Sequence, residues 1–176
     1  MWNPDIYKFK AYTSLMGLLI MGGWRGTNIC LRVINIYAPY SNKKIFWMRA
    51  EKSGFLDLEA LILVGDFNFS SDSYEIWGSL CWSDLMVSYF KELFKQKRLR
   101  DIKIDPFRPT WRNGRWGSQG IEKCLDRFYV QEETVNKLMD LESLILPNKV
   151  SYQFPILLKW SETHQQKAPP FKFNHF

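Results

Sequence analysis

The chain has 176 residues, 46% of them hydrophobic and 16% aromatic, which is enough for one packed domain and too apolar for a disordered chain. Its 24 basic and 18 acidic residues leave a formal charge of +6, which favours polyanionic partners such as nucleic acid without constraining the fold. Cys30, Cys81 and Cys124 stand far apart with no C-x-x-C, arguing for a reducing compartment and against a disulfide partner or a zinc site. The apolar run from Leu15 to Gly23 is shorter than the ~20 residues that span a bilayer, so no membrane partner is expected.

Leu15 to Ile20 and Ile29 to Tyr37 are rich in Leu, Ile and Val, and the glycines of GGWRGTN between them predict two adjacent strands joined as a hairpin. Ser41 or Asn42 caps a predicted helix through IFWMRAEK, Gly54 ends it, and Leu58 to Val64 reads as a third strand. Strand, helix, strand is an α/β order. From Ser83 a longer helix is expected, because Leu85, Met86, Tyr89, Phe90, Leu93 and Phe94 repeat at helical period. The basic run KQKRLR at its end suits either phosphates or a solvated helix C-terminus. Strands are expected near Thr110 to Arg112 and over Ile121 to Val130, linked by the turn chemistry of NGRWGSQG. A helix over Glu132 to Leu141 and a strand over Phe154 to Trp160 follow. The domain is read as residues 1–160, with 161–176 a polar, loose tail that carries both histidines, His164 and His175.

The stretch LILVGDFN ends an apolar strand with an acid and an amide. If the extended geometry continues past Gly65, Asp66 and Asn68 share a face. A carboxylate can orient water or a hydrated cation, and an amide can donate to a phosphate oxygen; Gly-Asp-x-Asn is also ordinary turn composition. Trp111 and Trp116 alternate with Arg108, Arg112 and Arg115, a mixture that suits stacking and phosphate contacts with DNA. The alternative is a hairpin turning at Asn113-Gly114 with its tryptophans in the core.

Taken in order, INIYAPY, LVGDFN, PTWRN, LDRF and FPILL resemble the endonuclease/exonuclease/phosphatase superfamily, and more narrowly the endonuclease domain of plant LINE-type (non-LTR) retrotransposons. The resemblance implies a four-layered α/β sandwich, two mixed sheets flanked by helices, and a Mg2+-dependent attack of water on a phosphodiester of DNA, with nuclear residence. It carries Tyr37 over as the tyrosine that bonds the scissile phosphate. Asp66 becomes the acid that positions the attacking water, Asn68 its supporting amide, and Asp126 the acid that orients the family's histidine. For Asp126 the alternative is a local ion pair with Arg127.

Two departures qualify that expectation. Where the family has Ser-Asp-His before FPILL, this chain has Ser151, Tyr152 and Gln153. Loss of general-base help of this kind costs about 10²- to 10⁴-fold. MWNPDIYKFK matches neither the asparagine strand nor the metal-binding glutamate with which the family begins, so Asp66 is left as the sole, weak metal ligand. The expectation is a copy truncated at its N-terminus, incomplete in its sheets and impaired or inactive in hydrolysis. A non-catalytic nucleic-acid-binding module and an active nuclease with a rewired site are its rivals.

Overall fold

The computed structural model describes residues 5, 7–24, 30–78, 85–148 and 150–161. Its centre is a six-stranded sheet in the order β1-β2-β3-β4-β9-β6. The hairpin of β1 (Tyr7–Ser14) and β2 (Gly17–Trp24) feeds antiparallel into β3 (Leu31–Tyr37). Helix α1 (Lys43–Lys52) then returns the chain so that β4 (Leu61–Asp66) runs parallel to β3. The expected hairpin and strand–helix–strand order are present. β1 lies outside the expected strands, although Tyr7, Phe9 and Ala11 alternate there with Lys8 and Lys10, and β4 begins three residues later than its hydrophobic run suggests.

The expected strand over residues 121–130 is two strands in different sheets. β8 (Ile121–Lys123) joins a three-stranded antiparallel sheet between β5 (Ile76–Gly78) and β7 (Trp111–Arg112), whereas β9 (Asp126–Gln131) lies in the large sheet between β4 and β6 (Leu99–Ile102). Cys124 and Leu125, both buried, make the corner. The helix expected over 132–141 stops early: α3 (Glu132–Lys137) is followed by β10 (Met139–Ile145), which pairs with β11 (Ile156–Ser161). The architecture is the expected α/β one, although the smaller sheets are two separate antiparallel pieces rather than one mixed sheet.

One face of the large sheet is covered by α1 and α2 (Val87–Gln96). Trp47 of α1 stacks on Phe67 at 5.5 Å and Phe90 of α2 stacks on Phe69 at 4.0 Å, so the two residues that alternate with the polar ones of GDFNF anchor the loop after β4 in the core. Of the predicted α2 stripe, Phe90, Leu93 and Phe94 are buried, while Leu85 lies before the helix and is exposed. The opposite face packs Ile62, Phe128 and Val130 against Leu141, Ile156 and Leu158 of β10 and β11. The basic run at the end of α2 is tied down locally: Lys97 bonds Asp57 at 2.8 Å, Arg98 pairs with Glu132 and Glu133, and Leu99 is buried in β6.

Candidate functional site

Strand register gathers the site. Tyr37 at the end of β3 is level with Asp66 at the end of β4, and Asp66 is level with Asp126 at the start of β9. Gly65 permits this close packing: at φ +128°, a Cβ there would lie 2.1 Å from the Ile36 carbonyl oxygen of β3. The extended geometry stops after Asp66. Asn68 takes a left-handed φ of 52°, its N–H donates to Asp66 Oδ1 at 2.8 Å, and its side-chain amide donates to the Ala38 carbonyl at 2.5 Å. Turn chemistry and convergence on one site are therefore both present, because the turn itself brings Asn68 back beside Asp66.

Asp126 borders a separate small pocket with Asp101 and Arg127, whereas Tyr37, Asp66 and Asn68 open into a cleft of about 530 Å³ whose lining also includes Tyr40, Lys43, Trp111, Lys123 and Gln153. Tyr37 is exposed and Asp66 is buried at its base. Gln153 Nε2 donates to Asp66 Oδ2 at 2.9 Å, so both carboxylate oxygens of Asp66 accept an N–H. Burial raises the Asp66 pKa against these bonds and the nearby Lys43 charge. Asp126 is pushed up to about 7, first by burial and then by the charge of Asp66, against a hydrogen bond with the Thr110 side chain. Its Oδ2 is buried without a hydrogen-bond partner.

The local pair of Asp126 with Arg127 does not form. Arg127 points to the other side of β9, where its guanidinium bonds Glu75 and Asp101, while Asp126 stands across from Asp66. The Trp/Arg segment also divides. Trp111 lines the cleft; Arg112, Arg115 and Trp116 line a second cavity with Tyr152; Arg108 is exposed on the preceding loop. Trp116 is 93% exposed, so it is no core residue, and the hairpin spans residues 113–120 rather than turning at Asn113-Gly114 alone.

Sequence reasoning did not find Lys43 and Lys123. Lys43 is the first residue of α1, and Lys123 enters only through the pairing of β8 with β7. His164, His175 and Cys81 fall outside the described residues. A resident magnesium ion fits this donor set poorly. Among the described residues no three His, Cys, Asp or Glu side chains are gathered for a metal; Asp126 loses its charge as pH falls below about 7, and Lys43 and Lys123 bring positive charge into the Asp66 cleft.

No family model matches the chain, and no curated protein matches it in sequence. Solved structures do match its shape. The endonuclease domain of TRAS1, a telomere-specific non-LTR retrotransposon, aligns with a TM-score of 0.64 at 12% identity over 89% of this chain and 68% of its own length. The 3'-5' exonuclease NExo from Neisseria meningitidis aligns with a TM-score of 0.60 at 18% identity over 88% and 70%. A single-substitution variant of the 3' phosphatase NExo from Neisseria, bound to a product DNA hairpin, aligns with a TM-score of 0.55 at 20% identity over 81% and 64%. The chain therefore shares the fold of these endonuclease, exonuclease and phosphatase structures.

Proposed function

We propose that this chain binds DNA through the Tyr37–Lys43–Trp111–Lys123 cleft and is an impaired relative of Mg2+-dependent retrotransposon endonucleases that resides with DNA in the nucleus. The observation that carries this reading is the bond from Gln153 to Asp66. An amide cannot take a proton near neutral pH, and here it ties up the carboxylate oxygen that would otherwise orient a water. Lys43 and Lys123 supply charge for a phosphate, Tyr37 a hydroxyl and Trp111 an aromatic face. The similar structures, a retrotransposon endonuclease domain and a phosphatase bound to a DNA hairpin, support DNA as the partner. Among the described residues no helix is long and apolar enough to cross a membrane.

The test is nicking of supercoiled plasmid in magnesium by the folded chain and by a Tyr152→Asp, Gln153→His variant, with EDTA and an Asp66→Ala, Asn68→Ala variant as controls. The expected result is salt-sensitive DNA binding by the native chain with nicking at least ~100-fold below that of an intact superfamily nuclease, in line with the cost of a missing base. Native nicking within about tenfold of such an enzyme, abolished by both controls, would overturn the impairment. One observation points to the residue that active reading would need: Asp126, across from Asp66, has an unpartnered Oδ2 and is pushed up to about 7, but that oxygen is buried, so the reading requires water to reach it. Under it, Asp126→Asn abolishes nicking; under ours, native nicking stays at the level of the EDTA control.

A further inference from the structure

The three-stranded sheet separates its two faces by strict alternation. In register across it, Ile76 of β5, Lys123 of β8 and Trp111 of β7 continue to Gln153, which bridges Trp111 on the sheet's outer side; all four line the cleft. The adjoining row, Trp77, Glu122 and Arg112, continues to Tyr152, whose carbonyl accepts the Arg112 N–H at 2.9 Å. These four line the second cavity, of about 470 Å³, on the opposite face.

We propose that this second cavity is a stacking pocket for one unpaired nucleobase of single-stranded DNA whose backbone passes over the sheet edge from the cleft. The inference rests on the reading of the chain as a DNA-binding domain. The aromatic surface is in place: Trp116 is 93% and Tyr152 61% exposed, and both border the cavity. Such exposure of two large rings is expensive in water and useful for a stacking partner. The Tyr152 ring packs against Gly114, where a Cβ would lie 2.3 Å from its Cε1, so any larger residue at 114 would displace it. The hairpin carrying Trp116 is pre-set by Asn113. Its Oδ1 accepts from Arg115 N and Ile121 N, both at 3.1 Å, and its Nδ2 donates to the Gln119 carbonyl at 2.9 Å.

The charges fit the same ligand. Arg115 is exposed at the rim, and the Arg112 guanidinium lies over the Phe154 ring at 5.3 Å, an arrangement that fixes a cation beside the pocket for the flanking phosphate. Glu122 is the acidic member of the row and offers an acceptor to a base's amino group. Geometry selects the single strand. Cleft and pocket meet across the edge formed by residues 151–154, and a duplex, with a persistence length of about 50 nm, cannot fold over it. A single strand can.

The test is fluorescence anisotropy with labelled oligodeoxycytidylate and a duplex of equal length, using the native chain, Trp116→Ala, Tyr152→Ala, Tyr152→Phe and a Lys43→Ala, Lys123→Ala cleft variant. Stacking losses of this kind predict that the Kd for the single strand rises about tenfold in Trp116→Ala and in Tyr152→Ala. Tyr152→Phe should remain within about twofold, and no pocket variant should shift the duplex Kd by more than about twofold. The exposed Trp116 can be removed without disturbing the core, so its result stands even if Tyr152→Ala loosens the hairpin. Unchanged single-strand binding in Trp116→Ala, or equal losses on both probes, would overturn the pocket alone. Single-strand binding that shows these losses while duplex binding is absent would uphold the pocket and overturn the cleft reading. Binding of neither probe would overturn both.

Discussion

Asp126 and Glu75 are carboxyls that burial treats alike and partners treat differently. Asp126 is raised from 3.8 to about 7, so its native state prefers the proton: the associated stability is complete below pH 3.8 and is lost as pH rises to about 7. At Glu75 burial also raises the pKa, but the Arg127 hydrogen bond and charge, with help from Lys103, outweigh it and hold the carboxyl down to about 2. Its stabilisation is complete above pH 4.5 and is lost as pH falls to about 2. The two contributions together place a stability maximum near pH ~4, and thermal denaturation across pH should show Asp126→Asn losing most of the decline above that maximum, the rest coming from Asp66, whose pKa burial raises in the same direction, while keeping the acid limb. A decline that persists undiminished in Asp126→Asn would mean that another group carries it. Asp66 and Asn68 were legible in the sequence because an apolar strand that ends on Gly-Asp-x-Asn is a local signal. The solitary state of Asp126 was not, since it depends on which way Arg127 turns, and that is decided by Glu75 and Asp101 on other strands.

At the level of elements, the short β5 and the turn before it are fastened to the large sheet by charge rather than by apolar area. Glu75, fully buried, receives the Arg127 guanidinium and Lys103 Nζ at 3.0 Å, as well as the Ser71 N–H at 2.6 Å; Asp101 of β6 bonds Arg127 at 2.9 Å and Lys103 at 2.8 Å. Removing Arg127 leaves the fully buried Glu75 with only the half-exposed Lys103 as counter-charge, so Arg127→Met is expected to cost about 3–5 kcal/mol in urea denaturation. An Arg127→Met, Glu75→Leu double variant should recover part of that loss; additive losses would show that the pair is not coupled. Helix α2 was readable from its periodic aromatics and α1 from its bounds at Ser41 or Asn42 and at Gly54; Asn42 is the residue at its N-terminus, although its side chain makes no capping hydrogen bond. The division of residues 121–130 between two sheets was not, because alternation continues across the corner at Cys124 and Leu125 while the pairing partner changes.

For the whole molecule, the formal charge of +6 acquires a direction only once the chain is folded. Lys43 and Lys123, distant in sequence, meet in one cleft, whereas Lys97 and Arg98 are engaged by acids. Each cleft lysine that meets a phosphate should contribute about one unit to the slope of log Kd against log salt, so the double alanine variant is expected to flatten that slope by about two. A slope unchanged in that variant would place the DNA elsewhere. The α/β order was legible from the strand, helix, strand pattern and the sandwich from the resemblance carried by five ordered motifs; the two-faced small sheet was not, because its strands are two or three residues long and carry almost no periodic signal.

That small sheet also limits how the protein can change over generations. Neighbouring residues on each of its strands serve opposite cavities, so a point substitution can alter one cavity and spare the other: Gln153 can vary without touching the tryptophan hairpin, and Tyr152 without touching Asp66. A one-codon insertion or deletion that shifted the pairing of residues 151–154 would turn every side chain of that segment to the other face, setting a tyrosine against Asp66 and an amide against Gly114. The two cavities are therefore free to diverge by substitution and bound to be lost together by a frame-preserving change in length.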